Sequence, residues 1–243
     1  MEEMSRRLSP RGPDENGFFY SDNCNLAHVR LTIIDPENGR QPMTRENYTI
    51  CYNGELYNTS DIQKELEALG YSFGGHSDTE VLLTSYLQWG EKCLDRLNGI
   101  YAFGIWDSMR KRLFMARDRA GVKPLYYGFL NKGLLFASEP KALLAHPDIK
   151  PVIDGEGIAQ IMLLGPAVKP DSGIFRDIKQ LPPGCFAVYE RGSFTMKSYW
   201  QPTAEPHIES ASDTAEHLEF LITDSVKRQL VSDMPLCTFL SGG

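Results

Sequence analysis

Four short apolar segments between residues 100 and 138 constrain the fold of this chain more than any other feature. Each combines β-branched and aromatic residues, and charged residues or glycine separate it from the next segment. In chain order they read IYAFGIWD, RLFMARD, PLYYGF and GLLFAS. Such segments are typical of β-strands, and their short spacing favours antiparallel neighbours. The sequence therefore predicts an antiparallel meander in the middle of the chain.

Further strands and a first helix are predicted before this meander. β-Branched and aromatic runs broken by Asn, Asp, Gly and Pro predict strands within residues 18–35 and 48–57. Ser60 as a capping residue, apolar residues at helical spacing and Gly70 as a stop predict a helix over residues 61–69. The start of the chain should thus pair a sheet with a helix.

A second helix and the closing strands of the same domain are also predicted. Ser77, followed three residues later by Glu80, predicts a helix start, and Gly90 predicts its end. A short helix is expected over residues 140–145, then a loop-rich stretch with four prolines, and finally a strand pair with the sequences GCFAVYE and FTMKSYW. We expect the first domain to close there, at residue 200.

The remainder of the chain predicts a linker and the beginning of a second domain. Residues 201–212 contain two prolines and no apolar periodicity, which indicates a linker. Residues 213–243 contain an amphipathic helix and a short apolar strand over residues 235–240; the helix is marked by Leu218, Leu221, Ile222, Val226 and Leu230. One helix and one strand cannot bury a core of their own, so we expect residues 213–243 to be only the start of a domain.

The composition excludes several classes of protein. With 42% hydrophobic and 23% charged residues the chain is ordinary for a globular protein, and a net charge of −7 without basic clusters argues against a nucleic-acid partner. The five cysteines are scattered, form no CxxC pair and predict reduced thiols without a metal site. The sequence predicts neither a signal peptide nor a membrane span, so we expect a cytoplasmic protein that binds no membrane.

Three polar clusters lie next to predicted strand ends or helix starts. They are AHVRLTIID at 27–35, YNGELYN at 52–58 and SDTE at 77–80. Arg30 suits the carboxylate of an amino-acid ligand, and Asp78 suits its ammonium. Asn53 and Gly54 offer a side-chain amide and an unhindered N–H, donors that can stabilise an oxyanion during acyl transfer. Taken singly, however, these residues are also typical of an ion pair, a hairpin turn and a helix start, so both interpretations stay open.

The order of motifs along the whole chain is more specific than any single motif. In order these are RGPD, AHVRLTIID, NGELYN, SDTEV, LNGIYAFGIWD, RDRAGVKPLYY, FASEPKALL, LPPG and FLSGG. This string resembles the glutamine-hydrolysing asparagine synthetases over nearly the whole chain. The resemblance implies an α+β fold of the amino-terminal-nucleophile hydrolase type, an αββα sandwich of two antiparallel sheets, followed by the first helix and strand of an α/β synthetase domain.

The same resemblance implies a glutamine site in the first domain, a class II glutamine amidotransferase domain. By similarity, Asn53 and Gly54 would form the oxyanion hole, and glutamine would be held by Arg30, Leu31, Ile33, Asn53, Glu55 and Asp78. In the family a terminal cysteine attacks the carboxamide of glutamine, and its own α-amine is the general base. This pairing is chemically sound, because a thiol needs an adjacent base and an α-amino group titrates near neutrality.

The beginning of the chain departs from the family pattern. Family members begin Met-Cys-Gly-Ile, and about a strand and a helix precede their RGPD motif. This chain begins Met-Glu-Glu-Met and reaches Arg11 almost at once, with Pro10 where family members often carry histidine. We therefore expect the nucleophile and its strand to be absent and the chain alone to be inactive. Cys24 and Cys51 would not replace the nucleophile, since neither is terminal.

The end of the chain resembles the start of an ATP pyrophosphatase domain. Its last residues match the first half of a Ser-Gly-Gly-x-Asp-Ser loop whose N–H groups hold the pyrophosphate of ATP; they are Leu240, Ser241, Gly242 and Gly243. We expect a fragment truncated at both ends that binds no cofactor itself. The parent would hydrolyse glutamine to glutamate and ammonia, and would use ATP with Mg²⁺ to amidate aspartate. The sequence leaves the oligomeric state open, a homodimer included.

The sequence is also compatible with two other functions. One is a non-catalytic module that binds glutamine. The other is an amidotransferase of the same family with a different acceptor, as in the β-lactam synthetases, because residues that would select aspartate lie beyond Gly243.

Overall fold

Antiparallel strands and flanking helices make up the computed structural model, which describes residues 1–165 and 169–238. Within these residues the helices are α1 (Glu2–Leu8), α2 (Thr59–Ala68), α3 (Asp78–Trp89), α4 (Pro140–Leu143), α5 (Gly155–Leu164) and α6 (Ala211–Gln229). The strands are β1 (Glu15–Tyr20), β2 (Asn25–Arg30), β3 (Met43–Arg45), β4 (Tyr48–Leu56), β5 (Gly99–Asp107), β6 (Arg112–Arg117), β7 (Tyr126–Leu130), β8 (Gly133–Ala137), β9 (Lys179–Gln180), β10 (Cys185–Glu190) and β11 (Ser193–Ser198).

The strands form one large and two small sheets, in which all neighbours are antiparallel. The large sheet has the order β11-β10-β6-β5-β4-β3. The small sheets have the orders β1-β2 and β8-β7-β9.

The buried side chains show how these sheets are layered. On β5, Tyr101 and Phe103 pack with residues of α2 and α3 on one face of the large sheet. Ala102 and Trp106 point to the other face and pack with residues of β2 and β8, because successive side chains of a strand alternate between its faces. A third cluster joins β7 and β8 to α1 and α4. The fold is therefore α+β with four layers, helix, sheet, sheet and helix, as predicted.

The meander predicted over residues 100–138 is wrong at one point. All four strands form, and β5 pairs with β6, but β6 then pairs with β10, and β7 belongs to a different sheet. The reason lies in the connection between β6 and β7. The buried carboxylate of Asp118 accepts hydrogen bonds from the N–H groups of Tyr101, Ala120, Val122 and Lys123 at 2.9–3.2 Å. These bonds satisfy the backbone where the chain crosses from one layer to the next.

The predicted helices α2, α3, α4 and α6 are confirmed, but their caps differ in part. Ser60 lies inside α2, whose first capping position is Asn58, so the predicted capping box is wrong. Ser77 does precede α3 but makes no capping hydrogen bond with its side chain. Glu80 accepts from the N–H of Gly74 instead, so its carboxylate holds the loop before the helix.

Two helices were not predicted, and one predicted strand is not seen in the part of it that the structure describes. Helix α1 occupies the polar start of the chain, and α5 occupies the stretch predicted as loops. Residues 235–238 have no regular structure, and the rest of the predicted strand lies outside the described residues.

The apolar side chains that mark α6 lack a covering layer within the described residues. Leu218, Leu221, Ile222 and Val226 are each about half exposed. Helix α6 begins at Ala211, inside the range predicted as a linker, and residues 201–208 have no regular structure. No helix in the described part of the chain is both long enough and apolar enough to span a bilayer.

Candidate functional site

A cavity of about 860 Å³ collects most of the predicted site residues. Its lining includes Arg30, Leu31, Ile33, Asn53, Gly54 and Glu55. They come from the end of β2, the loop after it, and β4, which the sheets bring together. Asp78 is not part of the lining, although its chain neighbours Ser77 and Thr79 are. The predicted ATP-binding residues 240–243 lie outside the described part of the chain.

Two strand edges bound this cavity. Residues 25–30 of β2 and 133–137 of β8 line it without a break. Among the described residues, β2 pairs only with β1, and β8 pairs only with β7. The second edge of each strand therefore presents unpaired backbone N–H and C=O groups, which are ready partners for an extended segment.

Arg30 lines the cavity and is 7% exposed. Its guanidinium donates to three carbonyls and one carboxylate at 2.8–3.1 Å, those of Ile34, Asp35, Pro36 and Glu15. A planar guanidinium has several donors in fixed directions, so it can bind several backbone carbonyl oxygens of a curved loop at once, which a lysine cannot. Arg30 thus holds the loop that carries Leu31 and Ile33 in one conformation, and it also places a positive charge beside the cavity.

Asp78 is the first residue of α3 and lies directly behind the cavity wall. Its Oδ2 accepts a hydrogen bond of 2.8 Å from the Tyr52 hydroxyl and one of 3.2 Å from the N–H of Leu56. Burial raises the pKa of Asp78 above its usual range, and these two hydrogen bonds oppose the shift. The carboxylate is therefore held in place at a point where ionisation is costly.

Glu55 lies in the same acidic corner and lines the cavity. Burial, with a smaller contribution from the nearby charge of Asp78, raises the pKa of Glu55 to about 7, and Lys123 opposes the shift. Two neighbouring carboxylates that both resist ionisation attract a cation, because a positive charge between them would relieve the cost of both.

Asn53 and Gly54 are central on β4, where they face Ala102 and Tyr101 across the sheet. A Cβ atom on Gly54 would overlap the carbonyl oxygen of Ile100, so the strands approach as closely as they do only with glycine. The Nδ2 atom of Asn53 is buried without a hydrogen-bond partner among the described residues. Buried donors are nearly always paired, so this amide is a candidate for binding a ligand oxygen in the cavity.

Four cysteines, Cys24, Cys51, Cys93 and Cys185, do not resemble activated nucleophiles. Burial raises the pKa of Cys24 to about 12 and also raises that of Cys51, Cys93 and Cys185. A nucleophilic thiol needs the opposite shift or an adjacent base. The interpretation of Cys24 and Cys51 as non-catalytic residues agrees with this environment.

The cavity also contains residues that were not among the predicted site residues. Lys123 and Gln41 line it. The side chain of Gln41 accepts from the N–H of Tyr52 at 2.6 Å and donates to the hydroxyl of Thr79 at 3.2 Å, which ties β4 to α3. Lys123 lies in the family-like motif RDRAGVKPLYY, so the sequence did offer a reason to consider it as a site residue. Gln41 had no comparable signal.

The fold and cavity define an amidotransferase-type domain, and comparison with known proteins assigns the family. A family described as "Glutamine amidotransferase domain" matches residues 1–200. The chain belongs to this family.

Two relatives that match nearly the whole chain are asparagine synthetases. The chain is 48% identical to asparagine synthetase [glutamine-hydrolyzing] 3 of Bacillus subtilis (strain 168), over 100% of this chain and 40% of that protein. It is 33% identical to asparagine synthetase B [glutamine-hydrolyzing] of Escherichia coli (strain K12), over 99% of this chain and 39% of that protein. The chain thus spans about 40% of the length of these relatives.

Solved structures support the fold alone. The glutamine phosphoribosylpyrophosphate amidotransferase of B. subtilis matches with a TM-score of 0.52 and 22% identity, over 73% of this chain and 35% of that chain. A structure described as the allosteric regulatory enzyme of purine biosynthesis matches with a TM-score of 0.53 and 21% identity, over 73% of this chain and 35% of that chain.

Proposed function

We propose that the cavity binds glutamine and that the chain is the amidotransferase part of a glutamine-hydrolysing asparagine synthetase. The observation that carries this proposal is the unpaired, buried amide of Asn53 in a cavity that also holds Glu55 and Arg30. An amide donor, a carboxylate and a guanidinium are the three groups that a neutral amino-acid amide requires. The part of the proposal that concerns asparagine synthesis rests on the names of the relatives.

The two ends of the proposed ligand go to opposite charges. The ammonium group would lie beside Glu55, with Asp78 behind the cavity wall, since its positive charge would let both carboxylates ionise. The carboxylate would lie on the side of the cavity that Arg30 lines, against the backbone of Leu31 and Ile33. These two ends keep their charges throughout hydrolysis, so their contacts contribute binding rather than rate.

The carboxamide would lie at Asn53 and Gly54. When a nucleophile attacks this group, its oxygen becomes negative, and the side-chain N–H of Asn53 with the backbone N–H of Gly54 would stabilise that charge. In the family a terminal cysteine is the nucleophile. The open edges of β2 and β8 beside the cavity suit a segment that would carry such a residue.

The activity of the whole protein is part of the same proposal. Ammonia released from glutamine would pass to a second domain, which would begin at about residue 213 after a linker over 201–212. That domain would bind ATP, Mg²⁺ and aspartate and form asparagine, with residues 240–243 at the start of its ATP loop. We place the protein in the cytoplasm and leave a homodimer open.

Calorimetric titration of the chain with glutamine tests the binding part of the proposal. Glutamine should bind, whereas glutamate, with an anion in place of the carboxamide, should bind at least about tenfold more weakly. Glu55→Gln should weaken glutamine binding. Glu46→Gln is the matched control, because Glu46 is exposed. Equal affinity for glutamine and glutamate would contradict the proposed site.

Product analysis of the whole protein tests the acceptor. Asparagine formed from glutamine, aspartate and ATP would support the proposal. Ammonia release without asparagine would favour the alternative with a different acceptor, and glutamine binding without ammonia release would favour the non-catalytic module.

A further inference from the structure

Asp233, in the segment that follows α6, contacts the loop that carries Leu31 and Ile33. Its N–H donates to the carbonyl of Ile33 at 3.1 Å, and its Oδ2 accepts from the N–H of Asp35 at 2.8 Å. One residue thus holds both sides of a short loop segment, although it lies 198 positions from Asp35 in the chain.

The same carboxylate also reaches the approach to α3. The ring Nε2 of His76 lies 2.7 Å from Oδ2 of Asp233 and donates to it, because a carboxylate only accepts. The N–H of His76 in turn donates to the carboxylate of Asp35 at 2.8 Å. Asp35, His76 and Asp233 form a closed set of contacts, which we call the clasp.

The clasp joins the two elements that bear the proposed ligand contacts. The loop on one side carries Leu31 and Ile33, and His76 lies two residues before Asp78 on the other side. Arg30 holds this loop from within the domain through the carbonyls of Ile34 and Asp35. The loop is therefore fixed from inside by Arg30 and from outside by Asp233.

The fit at the clasp is close. A Cβ atom on Gly75 would overlap the carboxylate of Asp35, so the chain before α3 lies directly against the loop. Asp35 itself is 3% exposed and has a positive φ of 46°, a conformation that suits few residues. The mutual hydrogen bond raises the pKa of His76, and the N–H of Asp35 followed by His76 lowers the pKa of Asp233. Both shifts favour the charged pair.

We propose that Asp233 is a positioning residue, which makes glutamine binding depend on docking of the segment after α6. The inference rests on the proposed function, because it takes glutamine as the ligand of the cavity. When the segment is docked, the loop is held in the geometry that binds the ligand. By linkage, bound glutamine then favours the docked segment to the same extent.

Affinity is the first measurement. Asp233→Ala in the 243-residue chain should weaken glutamine binding by about fivefold to fiftyfold, within the usual range of coupling between sites. Asp233→Asn keeps an acceptor oxygen and should restore part of the affinity. Asp224→Ala is the matched control, since Asp224 lies on α6 and its side chain contacts Arg228.

The second measurement follows docking of the segment after α6. If Asp233 only stabilised the fold, docking would not change when glutamine is added. Cys237 is exposed four residues after Asp233, whereas Cys51, Cys93 and Cys185 are buried and Cys24 is half-buried. A nitroxide on Cys237 should lose mobility when glutamine is added to the wild-type chain. The same label on Asp233→Ala should be more mobile and should not respond to glutamine.

The outcomes separate this inference from the proposed function. Unchanged glutamine affinity in both Asp233→Ala and Asp233→Asn would overturn the inference and leave the proposed function standing. The inference would also be overturned if the wild-type chain binds glutamine but the mobility of its label stays the same. A wild-type chain that does not bind glutamine would overturn the proposed function and this inference together.

Discussion

The hydroxyl of Tyr52 donates a hydrogen bond of 2.8 Å to the buried carboxylate of Asp78, and this bond joins β4 to the start of α3. A hydrogen bond to a charged group contributes more than one between neutral groups, and its loss leaves a buried acceptor short of a partner. Tyr52→Phe should therefore lower the free energy of unfolding by about 1 to 3 kcal/mol in urea titrations. Tyr20→Phe, at a largely exposed tyrosine, should change it little. Equal effects would show that the bond to Asp78 contributes nothing.

Glutamine binding should strengthen as the pH rises through neutrality. The pKa of Glu55 is raised to about 7, and Asp78 on α3 and Lys123 are the charged groups that face it. Below that pH the protonated carboxyl cannot pair with the ammonium of glutamine. The dissociation constant should fall about tenfold between roughly pH 6 and pH 8, as the ionised fraction grows. Calorimetry across this range checks the slope, which Glu55→Gln should largely remove.

The same shift has a consequence for stability with a defined sign. The folded chain holds the proton of Glu55 more tightly than the unfolded chain, because the pKa rises from 4.5 to about 7 on folding. This group therefore favours folding less as the pH rises from about 4.5 to about 7. Relative to wild type, Glu55→Gln should gain on the order of 1 to 3 kcal/mol across that window, after allowance for screening. Parallel stability curves for the two proteins would contradict the shift.

The 243-residue polypeptide should release almost no ammonia from glutamine. Burial raises the pKa of Cys24, Cys51, Cys93 and Cys185, so none of these thiols is activated as a nucleophile. Without a covalent nucleophile only binding and oxyanion stabilisation remain, which typically leaves a deficit of about a thousandfold or more. A coupled assay against the whole B. subtilis relative checks this; comparable turnover would assign the nucleophile to a residue of this chain.

Asn53 and Arg30 should affect different kinetic constants in the whole, active protein. Asn53→Ala should lower kcat by about two to three orders of magnitude with little change in KM, because charge on the carboxamide oxygen develops only during attack. Arg30→Ala should mainly raise KM, since the charge of the ligand carboxylate does not change. Steady-state glutaminase kinetics separate the two. A change in kcat alone for Arg30→Ala would contradict the role of Arg30, and a change in KM alone for Asn53→Ala would contradict the role of Asn53.

The isolated chain should associate through α6. Its apolar residues are exposed, and contiguous exposed apolar surface drives contact between copies. Ile222→Glu should shift size-exclusion elution with light scattering towards the monomer. Thr223→Glu, with the same charge on the adjacent exposed residue, should not. Association that persists equally in both variants would direct attention to the open edges of β2 and β8.

Local patterns made much of the fold predictable. Apolar periodicity located β5, β6, β7, β8, α2 and α3, because whether a short segment forms a strand or a helix depends largely on the residues within that segment. The exchange of partners after β6 was not predictable in the same way. It depends on Asp118, whose carboxylate accepts from the N–H of Tyr101, 17 residues earlier in the chain. Nothing in the sequence around an aspartate that follows a strand indicates such a bond.

Helix α5 was missed although a signal existed. The side chain of Asp154 accepts from the N–H of Gly157, a regular N-cap, but the prolines that follow the helix directed the interpretation towards loops. The motifs predicted Arg30, Asn53 and Glu55 as site residues, and all three line the cavity. Gln41 and Asp233 were missed, because tertiary packing alone brings them to the cavity and its loop.

The carboxylate of Asp118 has a further consequence for the connection that carries Lys123. The amides of Ala120, Val122 and Lys123 are bonded to a group that is 1% exposed, in a loop that would otherwise exchange with solvent freely. Their deuterium uptake should be as slow as that of the central strands, because releasing them requires opening the core beneath. Lys123 is thus presented to the cavity by a stretch of backbone that three hydrogen bonds tie to a carboxylate in the core.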